Sequence, residues 1–267
     1  MRALKWFVFL ALGGVTLIVA FLGVLWLDHT RQTSLPALGG VFGVGVTNFV
    51  WMDTHDDPLA PPNTKRQLLV WMSYPTAPSS NQQFAEYMPA ALRKAVEHHM
   101  GFLLTNFLTR DLSKVHTHSV RDAELLPTRP VYPVVLRGGH SALITGYSVF
   151  AEDLASYGYF VVGFDAPYRT SVTVLPDGSV VLRSPQNDAE DLSGAQQQEV
   201  AMKLVNAWSA DMSFALDQLA QLNASDPSGR FRGRMDLNHV GAFGHSLGGA
   251  EALQFCHDDA RCNAVAT

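Results

Sequence analysis

Cysteine and charge are what this chain has least of. Only two of its 267 residues are cysteine, Cys256 and Cys262. Neither belongs to a C-x-x-C pair nor has a histidine at ligand spacing, which excludes a zinc ribbon or a dithiol redox motif. Charged residues make up 16% of the chain, where about 25% is usual for a soluble domain. Positive charge is not in surplus either. The formal charge of −5 excludes the basic surface that nucleic acid requires. His98, His99, His116 and His118 have no carboxylate or thiol at metal-ligand spacing, so no metal and no cofactor are assigned. No internal repeat or low-complexity tract is present.

Part of the charge deficit lies at the start. Residues 6–27 carry no charge, and 22 residues are enough to cross a bilayer core as a helix. A cleaved signal peptide would have a shorter apolar core followed by a small-x-small site. Leu25-Trp26-Leu27-Asp28 offers no such site, so an uncleaved single-pass anchor is favoured over a cleaved signal and a secreted product. Arg2 and Lys5 precede the span, which favours a cytoplasmic N-terminus and an extracytoplasmic body.

Three segments follow from this: an anchor over 1–29, a linker over 30–42, and an α/β domain over 43–267. Residues 43–51 and 66–74 read as two strands, joined by a turn containing Pro58, Pro61 and Pro62. Residues 84–112 read as helical, apolar nearly all round in the second half, which implies burial or lipid contact. His116 and His118 read as loop residues. Residues 133–137 form a compact apolar strand ending at Gly138-Gly139-His140-Ser141. An amphipathic helix over 147–157 and a buried strand over 159–164 complete a βαβ crossover, the mark of a parallel sheet. After an insert over 170–187, residues 189–222 recur with helical spacing and read as core packing.

The chain is organised around Gly244-His245-Ser246-Leu247-Gly248. It matches G-x-S-x-G, with an apolar strand before it and a helix-compatible run after it, the context that defines a nucleophile elbow. Gly244, Gly248 and Gly249 admit the close crossing of strand and helix, and Ser246 would be held at strained backbone angles with its hydroxyl clear of the sheet. The Leu247 N–H would then be one oxyanion donor, and the His140 N–H, in the Gly-Gly turn, the second. His245 would point away from the serine.

Taken together, the Pro133–Val134–Val135–Leu136–Arg137–Gly138–Gly139–His140 run, the 153–162 segment and Gly244–Ala250 resemble the platelet-activating-factor acetylhydrolase family of α/β-hydrolases. Tyr74-Pro75 and Asp217-Gln218-Leu219 fit the same pattern. The resemblance covers about residue 43 to the end. It implies a calcium-independent esterase that removes short or oxidised acyl chains from phospholipid-like esters, with Ser246 as nucleophile and His140 and Leu247 as oxyanion donors. Gly138-Gly139 stands where the family has His-Gly, so the support of the second donor differs.

The fold's triad order is Ser, then Asp or Glu, then His. Only 21 residues follow Ser246, and the family's acid and base lie beyond them, so the sequence reads as the N-terminal part of a longer hydrolase. His257, Asp258 and Asp259 would sit at the far end of the helix that leads away from Ser246. The expected activity is hydrolysis of a lipid or small ester. A polyester or small-ester hydrolase of the same fold and an anchored, inactive hydrolase-like domain are the alternatives. Cys256 and Cys262 flank the end of the elbow helix, where a disulfide and two free thiols are both open.

Overall fold

A computed structural model describes residues 2–77, 83–139 and 142–267. Two compact units are present, Met1–Ser34 with Glu86–His116, and Leu35–Ala85 with Thr117–Thr267.

In the smaller unit, helix α1 (Arg2–His29) includes a 25-residue stretch, Lys5–His29, long and apolar enough to cross a membrane, of which only His29 at its end is buried. A two-residue strand, β1 (Thr33–Ser34), follows and pairs in parallel with Val115 and His116.

The larger unit opens with a long antiparallel hairpin, β2 (Gly43–Asp56) and β3 (Lys65–Thr76). In β3 the residues Leu68, Val70, Met72 and Tyr74 are all buried, the two-residue period of a strand facing a core. The short β4 (Phe84–Glu86) precedes helix α2 (Ala90–Met100) of the smaller unit. Strand β5 (Val115–Arg121) pairs with β4 and, through Ser119 to Arg121, with β2. Next come β6 (Tyr132–Arg137), helix α3 (Ser148–Ser156) and β7 (Phe160–Asp165). Every residue of β7 is buried, as a central strand covered on both faces requires. A small hairpin, β8 (Val172–Val174) with β9 (Val180–Leu182), occupies the insert. The 32-residue helix α4 (Gly194–Ser225) then leads to β10 (Met235–Phe243), helix α5 (Leu247–Asp258) and β11 (Cys262–Ala266).

The sheet of this unit runs β5-β2-β3-β7-β6-β10-β11. Only β3 is antiparallel to its neighbours; all other pairs are parallel. This is a mixed α/β fold with a central, mostly parallel sheet. Its core joins the sheet residues Leu68, Tyr132, Val134, Leu136 and Phe164 to Trp208, Met212, Ala215, Leu216 and Leu219 of α4. Those α4 positions recur at three and four residues, so one face of the helix supplies them all.

Two expectations are corrected. Residues 84–112 are not one helix. Residues 84–86 are extended against β5, with the Thr117 hydroxyl donating to the Ala85 carbonyl at 2.6 Å. Pro89 caps α2, and the residue before a proline is disfavoured in helical geometry, so the helix starts no earlier. Gly101, at φ 84°, ends α2, and a separate π-helical turn occupies Leu104–Leu108. His116 and His118 lie on β5 rather than in a loop. Neighbouring strands supply the ladder that polar composition alone does not announce. The carboxylate of Glu152, buried in α3, accepts the His118 and Ser119 N–H groups at 3.0 and 2.9 Å.

Candidate functional site

Strands β6 and β10 run side by side in parallel and end together, with Phe243 paired to Arg137. The Gly138 N–H donates to the Phe243 carbonyl at 2.8 Å. The turn after β6 and the turn after β10 therefore leave the sheet at one point, at the carboxyl ends of parallel strands, where open α/β sheets place their ligands.

The turn after β10 is Gly244-His245-Ser246, and α5 begins at Leu247. Ser246 has φ 57° and ψ −125°, a conformation that costs a non-glycine residue about 1–3 kcal/mol. Its side chain is exposed. What holds it there is backbone packed on backbone. A Cβ on Gly244 would lie 2.0 Å from the Gly248 carbonyl oxygen, and one on Gly138 would lie 2.2 Å from the same atom. Any side chain at either position would push α5 away from the sheet. The Gly248, Gly249 and Ala250 N–H groups are used within the turn, by the carbonyls of His245 and Ser246. Among the described residues none accepts the Leu247 N–H, which lies beside Ser246 at the positive end of α5. His245 is exposed.

His140, expected to offer the second oxyanion donor, lies outside the described residues. Gly139, just before it, packs so closely on Trp208 that a Cβ would lie 1.9 Å from the indole. No described side chain hydrogen-bonds the Ser246 hydroxyl. His257 and Asp258 pair with each other at 2.9 Å, and Asp259 pairs with Arg261 at 2.6 Å. All three sit at the far end of α5, about 16–20 Å from Ser246 at 1.5 Å per helical residue. Cys256 and Cys262 are joined by a disulfide that ties the end of α5 to the start of β11. No group of histidine, cysteine and carboxylate side chains among the described residues forms a metal site.

Beneath the two turns lies a buried set of charges that sequence reasoning missed. Arg137, the last residue of β6, stacks over the Tyr147 ring at 3.5 Å. Burial holds its guanidinium below the usual arginine range. Burial also raises Asp165, at the end of β7, to about 7, even though the Ile144 N–H donates to it at 2.9 Å. Glu251, five residues after Ser246, is raised to about 8, and neither of its oxygens has a hydrogen-bond partner among the described residues. A carboxyl so placed is protonated at neutral pH. One layer away, Arg169 lies 2.8 Å from Asp57 and 2.6 Å from Asp211. The second contact is an ion pair by distance, but its angles are not those of a hydrogen bond. Burial raises Asp211 to about 6 despite Arg169 and Arg66. Two signals could have pointed here: an arginine closing an apolar strand, and a glutamate on the inner face of the elbow helix.

Fold and site together define a class: a mixed α/β fold of hydrolase type with a serine at a strand-to-helix elbow. No family model matches the chain, and none of the curated proteins matches it. Among solved structures it is similar to a ferulic acid esterase from Streptomyces cinnamoneus, with a TM-score of 0.67 and 26% sequence identity. The likeness covers 87% of this chain and 60% of that one.

Proposed function

We propose that this chain belongs to a serine carboxylic-ester hydrolase. The observation that carries the reading is Ser246, exposed at a positive φ between β10 and α5, on a fold similar to that of an esterase. In the proposed reaction, the Ser246 Oγ attacks the ester carbonyl and forms an acyl-serine while the alcohol leaves. Water then cleaves that ester and releases the acid. The Leu247 N–H and a second N–H at His140 receive the developing oxyanion. The general base is not assigned among the described residues.

The preferred substrates are short or oxidised acyl esters of phospholipid-like molecules, the class implied by the platelet-activating-factor acetylhydrolase resemblance. Residues 6–27 would anchor the enzyme in a membrane, with its body on the extracytoplasmic side. The likeness to a ferulic acid esterase favours a second reading, a hydrolase of small aromatic esters.

The test uses the protein as made in its own cells. A fluorophosphonate should label the peptide that carries Ser246, and Ser246→Ala should abolish both labelling and ester hydrolysis. Labelling that survives Ser246→Ala would remove the serine from the mechanism. Faster turnover of methyl ferulate than of a 2-acetyl phospholipid would favour the second reading.

A further inference from the structure

We propose that the segment from Met100 to Leu108 is a second membrane contact, seated in the lipid interface beside the outer end of α1. The inference rests on the reading of α1 as a membrane span. Phe102, Leu103 and Leu108 are 70%, 68% and 66% exposed. Three such side chains side by side facing water is a costly arrangement. They are grouped, with the Phe102 and Phe107 rings meeting edge to face at 6.0 Å.

The patch is fastened to one level of α1. The His29 ring nitrogen Nδ1 lies 2.5 Å from the Thr109 carbonyl. The Asp111 N–H donates to the His29 carbonyl at 3.0 Å. The Arg110 guanidinium donates to the Asp28 carbonyl at 2.7 Å and pairs with the Asp28 carboxylate at 3.1 Å. Asp28 and His29 stand where the uncharged run ends. A helix over 6–27 rises about 33 Å, close to the roughly 30 Å of a bilayer core. When α1 spans, the residues bound to its end therefore sit at the level of the headgroups.

Polar chemistry beside the patch suits that depth. A cleft of about 480 Å³ is lined by His29, Arg93, Lys94 and His98 on one hand and by Glu97 and Asp111 on the other. Arg93 is held by Glu97 at 3.1 Å. Lys94 is exposed and free to reach a lipid phosphate while the neighbouring rings enter the acyl boundary. Lipid is also the one solvent that α1, with none of residues 5–28 buried, and the patch would share.

The test places a nitroxide on Phe102→Cys or on Leu17→Cys in the full chain, with the native cysteines left bonded. Each variant is reconstituted in vesicles of phosphatidylcholine and phosphatidylglycerol. Collisions with oxygen and with a water-soluble nickel chelate then report depth. The Leu17 label should read near the bilayer centre and the Phe102 label about 5–10 Å below the headgroups. A Phe102 label open to nickel while Leu17 reads in lipid overturns the proposal and leaves the span standing. A Phe102 label shielded from both reagents means that a second copy covers the patch, which also overturns it. Both labels in water overturn the span and the contact together.

Discussion

Two tryptophans mark the contrast between the units. Trp208 is 1% exposed, stacked on Phe164 at 5.6 Å and pressed against Gly139; Trp6 is 70% exposed on α1. The larger unit gathers a core of large apolar side chains and buries several charges beside it. The smaller unit presents apolar side chains outward on α1 and on the turn after α2. Identical side chains placed so differently imply different surroundings, because burial is favourable only relative to the solvent left behind. The exposed apolar surface of the smaller unit is what the proposed lipid contact would cover.

The sharpest way to break that contrast is to truncate matched residues. Trp208→Ala should destabilise the larger unit by about 3–5 kcal/mol, read as a large drop in the denaturant midpoint. Phe102→Ala should change the same midpoint by under about 0.5 kcal/mol. Equal losses would mean that the patch is packed in the native protein and that the contrast is false.

A smaller effect is expected at the cross-link. Reducing Cys256–Cys262 should lower stability by about 2 kcal/mol in the chain-entropy picture of so short a loop, measured as a shift in melting temperature. A shift confined to the reduced protein and absent from Cys262→Ala would point instead to a chemical effect of the reductant.

An effect set by pH is expected from Glu251→Gln. Glu251 keeps its proton in the folded state up to about 8, whereas an unfolded glutamate loses it above about 4.3. Between those values the native state binds more protons, so stability falls as pH rises and levels off above 8. Glutamine mimics the protonated form. The variant should match the parent near pH 4 and become the more stable of the two as pH rises to 8, flattening the decline, with the nearby Arg137, Arg169 and Asp211 left in place. Asp165, raised to about 7, keeps part of the slope. An unchanged slope would mean that Glu251 is ionised in the folded protein.

Much of the larger unit was legible because its signals are local. Gly244 to Gly248 needs only five residues to announce a strand-to-helix turn, and β7 is an uninterrupted uncharged run up to Asp165. The 43–51 and 66–74 strands were placed but drawn short, since their outer ends are polar and held by each other rather than by a core. What was hidden depends on contacts made far along the chain. Residues 116–118 are a strand because β1 and β4 pair with β5 there, and 84–86 are extended because they pair with β5. Glu251 and Arg137 look like ordinary surface charges until the fold encloses them. The smaller unit was harder because 86–116 returns to the residues around His29, a pairing that no periodicity encodes. His140 was drawn from its place in a motif and lies outside the described residues.

The three-way meeting of Gly244, Gly138 and the Gly248 carbonyl sets how freely this sequence can drift. Ser246 is positioned by peptide units touching peptide units, so its placement owes little to the identity of the surrounding side chains. Saturation mutagenesis should therefore yield an uneven map. Gly138, Gly244 and Gly139 should accept almost nothing, while exposed positions on α5 such as Leu253 and His257 should accept nearly any helix-compatible residue. A lineage built this way can exchange the exposed side chains of α5 many times over without moving its serine.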